Sequence, residues 1–174
     1  MTRVLLLVIL VALLAGPASA QQNAPAAPRG CTLATLADPP RQVLRCADGL
    51  TLTAEPGAAY RPVDRNRDGR PEAVELTDRA LLIDLPPGRA RGRFQILTPH
   101  AIASVRGTVW AVDVTARQSS VFVERGVVAV RRPGVPEVVL RAGDGVDVAE
   151  GATRLEVKRW SPQRAAALLD RLGR

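Results

Sequence analysis

Residues 94–114 read FQILTPHAIASVRGTVWAVDV, and the spacing of apolar side chains in this stretch decides the fold class. From residue 108 onward Trp110, Val112 and Val114 alternate with Val109, Ala111 and Asp113, the period of two that sends successive side chains to opposite faces of a strand. Two shorter strands precede it, separated by turns. Gly107, between Arg106 and Thr108 in an otherwise β-favouring run, marks a bulge or tight corner where a Cβ would clash. Thr98-Pro99 marks the other turn, because proline donates nothing to a ladder and drives its predecessor into an extended conformation.

The same rhythm continues outward. Residues 42–46 and 50–53 are short β-favouring runs separated by Asp48-Gly49, a dipeptide that joins hairpin strands, and Pro56-Gly57 ends the second run. Residues 74–85 resume strand character before Pro86-Pro87-Gly88 and a basic connection over residues 89–93. Runs at residues 119–124, 126–131, 137–140 and 145–148 follow, each bounded by glycine, proline or charge. This spacing predicts an all-β fold, a β-sandwich or β-roll of short strands. One short C-terminal α-helix is expected after it, since Ser161-Pro162 supplies an N-cap and a first-turn proline, and residues 165–172 are helix formers. Leu168, Leu169 and Leu172 share a face that should pack back on the sheet near Trp160, and Gly173 stops the helix.

At the start, Arg3 precedes the apolar run 4–15 and then Pro17-Ala18-Ser19-Ala20. That run is shorter than the roughly 20 residues of a membrane span, so residues 1–20 read as a secretory signal peptide cut after Ala20. The alternative is an uncleaved signal anchor; both place the rest outside the cytoplasm, periplasmic or secreted. No cysteine follows the apolar run directly, which disfavours a lipid-modified N-terminus. Residues 21–30 are a polar, Ala/Pro-rich flexible leader, residues 31–160 the β domain and residues 161–174 the helix packed on it. Cys31 and Cys46 are the only cysteines, and in an exported chain such a pair reads first as a disulfide, second as two thiols serving as metal ligands or nucleophile.

The formal charge is +7 and Lys158 is the sole lysine. Nucleic acid is excluded as a partner by export and by the lack of aromatic residues among the arginines to stack bases. A solvated basic surface with weak attraction to acidic envelope polymers fits better.

Residues 64–75, DRNRDGRPEAVE, match a calcium-loop pattern. Asp64, Asn66 and Asp68 would ligate through side chains, Arg70 through its carbonyl, and Glu75 would close the shell. Pro71 and three arginines depart from the pattern, and neither flank has helical period. The same residues also make a polar Asn/Asp/Gly turn. Elsewhere, the single His100 cannot build a zinc site alone. His100 with Asp113 and one of Ser104, Ser119 or Ser120 forms no motif, and no phosphate loop or βαβ unit is present.

Three segments, residues 94–114, SSVFVERGVVAV at residues 119–130 and VVLRAGDGVDV at residues 138–148, resemble the FecR domain family, and the resemblance covers about residues 48–148. Its motif positions here are Thr98, Pro99, Arg106, Gly107, Thr108, Trp110, Gly126 and Gly143, which read as corner and core of the fold rather than as a ligand site. The resemblance implies an all-β domain outside the cytoplasmic membrane, in envelope signalling that senses iron-siderophore uptake and regulates a sigma factor. Only Met1 to Arg3 precede the apolar run and little follows Trp160, so the expectation is a free-standing exported FecR domain without the cytoplasmic anti-sigma portion. It would be non-enzymatic and need no cofactor. Its partner would be another envelope protein or a cell-wall polymer, with no nucleic acid and no membrane contact beyond an uncleaved signal. The alternatives are a calcium-stabilised structural or adhesive β module, and a wall hydrolase if an acidic pair met in a cleft.

Overall fold

In chain order the strands are β1 (Cys31–Ala37), β2 (Pro40–Cys46), β3 (Thr51–Ala54), β4 (Ala59–Val63), β5 (Ala73–Asp84), β6 (Phe94–Leu97), β7 (Ile102–Val105), β8 (Val109–Val114), β9 (Gln118–Arg125), β10 (Val127–Arg132), β11 (Val135–Arg141), β12 (Asp144–Ala149) and β13 (Val157–Arg159), followed by α1 (Pro162–Arg171). The computed structural model describes residues 27–88, 94–105 and 107–174. The expected signal peptide at 1–20, most of the expected leader at 21–30, the basic connection at 89–93 and Arg106 lie outside the described residues.

One strand belongs to two sheets. The second half of β5 pairs with β3 and β8, in an antiparallel sheet ordered β1-β2-β3-β5-β8-β9-β12-β13. The first half pairs antiparallel with β4 and parallel with β6, in a sheet ordered β4-β5-β6-β7-β10-β11. The change-over falls at Asp78 and Arg79, where Arg79 takes φ 66. A left-handed residue re-aims the strand at a cost of roughly 1–2 kcal/mol for a side chain with a Cβ. The Arg79 guanidinium stays close to Glu55 at 3.4 Å and Asp78 at 3.9 Å.

The two sheets face each other over one core. Leu52, Ile83, Trp110, Val112, Val121 and Val146 come from the first sheet, and Val74, Phe94, Ile96, Val105, Val128 and Leu140 from the second. The predicted alternation in β8 is observed: Trp110, Val112 and Val114 enter this core. Its opposite face is also covered, because Val109 and Ala111 join Ala80, Leu82 and Phe122 beneath Trp160, Leu168 and Leu172. The C-terminal helix thus makes a third layer, and β8 is buried on both sides.

The helix starts as its sequence requires. Ser161 Oγ accepts from the Arg164 N–H at 3.2 Å and Pro162 opens the first turn. Gly173 ends it at φ 71. Trp160, just before the cap, stacks on Phe122 with centroids 5.1 Å apart, and the Arg164 guanidinium lies 3.7 Å over the Trp160 ring. Stacking and cation–π contact fix the approach of the helix to the sheet.

Candidate interaction surface

Each motif residue within the described chain has a structural role. At the Thr98-Pro99 turn, Thr98 Oγ1 donates to the Ala101 carbonyl at 2.9 Å and accepts the Ala101 N–H at 3.0 Å. Ser119 Oγ donates to Thr98 Oγ1 at 2.8 Å, and His100 Nδ1 lies 3.0 Å from Ser119 Oγ. With the serine proton directed at Thr98, the free lone pair of Ser119 takes the Nδ1 proton, so this network assigns His100 as a donor. That polarity is the reverse of a base activating a nucleophile. Asp113 lies on the other face of β8, where Arg171 holds it at 2.8 Å, so the His100, Ser119 and Asp113 side chains do not converge.

Gly107 adopts φ 60, and a Cβ there would come within 2.9 Å of Pro87 Cα. Thr108 is fully buried and its carbonyl accepts the Leu85 N–H at 2.9 Å. Gly126, at φ 96, sits against the Thr108 methyl, and a Cβ would lie 3.1 Å from the Gly107 carbonyl oxygen. The corner and the later glycine are therefore one packed unit. Gly126→Ala is expected to cost at least about 2 kcal/mol in chemical denaturation, from left-handed backbone strain plus overpacking. Gly143, at φ 85, donates to the Val123 carbonyl at 2.7 Å and accepts from the Trp160 N–H at 3.1 Å. Sequence reasoning missed Gly145, whose absent Cβ makes room for the Trp160 indole. A glycine inside a strand pattern is the signal that could have marked it.

The calcium-loop residues fold into a turn that uses its own acids. Asp64 accepts from the N–H groups of Asp68 at 3.2 Å and Gly69 at 2.9 Å. Asn66 Oδ1 accepts from the Asp68 N–H at 3.3 Å, and Asp68 Oδ1 from the Arg70 N–H at 2.9 Å. The structure brings Asp64, Asn66 and Asp68 together but directs Glu75 away, onto Arg61 at 2.7 Å across the β4–β5 pair. Among the described residues no three His, Cys, Asp or Glu side chains are grouped to hold a metal. With Glu75 paired to Arg61, equal melting temperatures in millimolar calcium and in excess chelator are expected; a rise with calcium would assign the loop as a metal site.

Charged groups tie the helix to the sheet. The Arg171 guanidinium grips Glu55, with Nε at 2.9 Å, together with Asp113. Hydrogen bonding to Asp113 raises the Arg171 pKa against the opposing effect of burial. Burial alone would raise the Asp147 carboxyl, yet hydrogen bonds from Arg164 at 2.6 Å and Ser120 at 2.7 Å hold it below the usual carboxylate range.

Among the described residues the sheets present four edges: β1 and β13 on the first, β4 and β11 on the second. β13 has three residues, β4 carries Pro62 and β11 carries Pro136, each a feature that blunts an edge. β1 has none of these. It is seven residues long, CTLATLA, without charge or proline, and its register with β2 is unbroken from Cys31↔Cys46 to Ala37↔Pro40. A disulfide joins Cys31 to Cys46 and clamps the start of this edge to the sheet. The Cys46 N–H donates to the Leu50 carbonyl on the β3 side, so Cys31 and Cys46 form a non-hydrogen-bonded pair. By alternation the N–H groups of Leu33 and Thr35 point to the free edge, ready to pair with an added strand.

The model of the FecR protein family matches residues 34–129, more than half of the chain. Two crystal structures of Parabacteroides distasonis proteins described as anti-sigma factors have a similar fold. One superposes with a TM-score of 0.63 at 17% identity, over 80% of this chain and 64% of its own. The other gives 0.57 at 18% identity, over 82% of this chain and 62% of its own. The chain thus spans less than two thirds of either protein. No curated protein matches it. The family match, running from β1 through the Gly107 corner to β10, shows that the chain belongs to the FecR protein family.

Proposed function

We propose that this protein is an exported, non-enzymatic FecR domain that binds another envelope protein in cell-envelope signalling, docking a partner strand on β1. Family membership carries the reading. The fold shared with proteins described as anti-sigma factors supports a role in regulation by protein contact. The disulfide suits an oxidising compartment outside the cytoplasm. His100, Ser119 and Asp113, the residues nearest to a catalytic set, are engaged in turn closure and helix docking. In this reading residues 1–20 direct export, residues 21–30 form a leader, residues 31–160 the binding domain and residues 161–174 the helix that stiffens it.

Strand addition at β1 has a specific test. Thr35→Pro removes an outward N–H while leaving every β1–β2 hydrogen bond in place, because residue 35 belongs to a non-hydrogen-bonded pair. The variant should keep its circular dichroism and melting temperature and lose at least about tenfold in partner affinity, the equivalent of about 1.4 kcal/mol. Unchanged affinity in a folded Thr35→Pro protein would move the partner off β1.

A further inference from the structure

Where the segment leading into β1 meets the loop after β4, the surface opens into a cleft of about 610 Å³ whose walls carry Arg29, Arg61, Arg65 and Arg67. The place is built by backbone contact. Gly69 lies so close to the Arg29 carbonyl that a Cβ would come within 2.7 Å of its oxygen, and a Cβ at Gly30 would lie 3.3 Å from the Gly69 carbonyl oxygen. Arg67 takes φ 59, the left-handed turn that sets its side chain on the rim.

Arg29, Arg61, Arg65 and Arg67 outnumber by one the carboxylates on the wall or paired to it, Asp64, Glu72 and Glu75. Arg61 pairs with Glu75 at 2.7 Å and Arg65 approaches Glu72 at 3.9 Å, both in exposed pairs of the kind that contribute little and exchange partners readily. The one carboxylate on the wall, Asp64, is occupied by the N–H groups of its own turn. Arg29 and Arg67 are exposed and have no ion-pair partner among the described residues. Four guanidinium forks, two of them uncommitted, thus line one concave surface.

We propose that this cleft binds a phosphate-bearing acidic polysaccharide through its arginines. Guanidinium groups match phosphate oxygens two at a time, and their weak hydration lowers the cost of pairing. The spread of four cations along the cleft fits a chain of repeated anions better than a single ion. A peptide strand is disfavoured, because Pro28 and Pro62 on the walls have no N–H to pair with a backbone. The cleft adjoins the start of β1 but its walls include neither Leu33 nor Thr35, so Thr35→Pro and the arginine variants test the two surfaces separately.

The test uses the mature protein and phosphomannan, a phosphodiester-containing polysaccharide, by titration calorimetry at low salt. Neutral mannan and poly-glutamate serve as comparisons. Phosphomannan should bind, weaken as salt rises, and weaken by at least about tenfold in Arg29→Gln/Arg67→Asn, while neutral mannan does not bind. Asparagine at position 67 tolerates the left-handed backbone, so the variant should fold. Arg117→Gln/Arg131→Gln, which removes the same charge outside the cleft, should lose less than about twofold. Equal losses in the two variants would reduce the effect to net charge and overturn the proposal. So would no binding of phosphomannan, or tighter binding of poly-glutamate.

Discussion

Trp110→Ala is expected to lower unfolding free energy by about 3–5 kcal/mol, the range for emptying a large aromatic site. Trp110 is fully buried between the sheets and meets Phe94 edge-on, with centroids 6.2 Å apart at 72°. Burying an indole removes about 150–250 Å² from water, worth about 4–6 kcal/mol at about 25 cal/mol per Å². One effect works the other way. The indole N–H has no hydrogen-bond partner among the described residues, and a buried orphan donor costs about 1–3 kcal/mol. Trp110→Phe should cost much less than Trp110→Ala, since both remove the orphan N–H but phenylalanine keeps most of the ring packing between the sheets. Urea denaturation of both variants, with unchanged slopes, measures the difference. If the two losses were equal, the packing of the aromatic ring between the sheets would carry no energetic weight.

Removing the disulfide should have the next largest effect. Cys31 and Cys46 are 15 residues apart, and closing a loop of that length is worth about 3 kcal/mol in the chain-entropy model. The loss should concentrate at one edge. Among the described residues β1 pairs with β2 alone, so in Cys31→Ser/Cys46→Ser the β1 amides should exchange with solvent faster than those of β8, which is held between two ladders. Hydrogen exchange resolves this. Uniform loss of protection across β1 and β8 would show instead that the bridge stabilises the whole domain as one unit.

These predictions differ in how far the sequence announced them. The alternation around Trp110, the Ser161-Pro162 cap and the Asp48-Gly49 turn are local signals, and each element formed where its own residues required. β5 could not be read the same way. Its membership in two sheets depends on partners before and after it in the chain, and its only local mark is the left-handed Arg79, which nothing in the residue type announces. β1 and β4 were also not legible as strands. An edge strand such as CTLATLA lacks the strong apolar alternation of a core strand because only part of it is buried. The covering of β8 on its second face depends on contacts with the chain terminus, and the Arg171 bond to Glu55 spans 116 residues. For the motif glycines, sequence pointed to tight corners, but only the fold shows that Gly126 and Thr108 touch. The calcium pattern shows a different limit: residue types give the spacing of the oxygens, while the sheet register that pairs Glu75 with Arg61 is set elsewhere in the chain.

Docking of a partner strand on β1 in the envelope is tested most directly by photocrosslinking in living cells. A benzophenone amino acid at Ala34, exposed on β1, is compared in the Thr35 and Thr35→Pro backgrounds. Strand addition predicts one discrete adduct with an envelope protein, recovered from the non-cytoplasmic fraction and lost in Thr35→Pro. An adduct that persists in Thr35→Pro, or a chain recovered from the cytoplasm with Cys31 and Cys46 reduced, would contradict it.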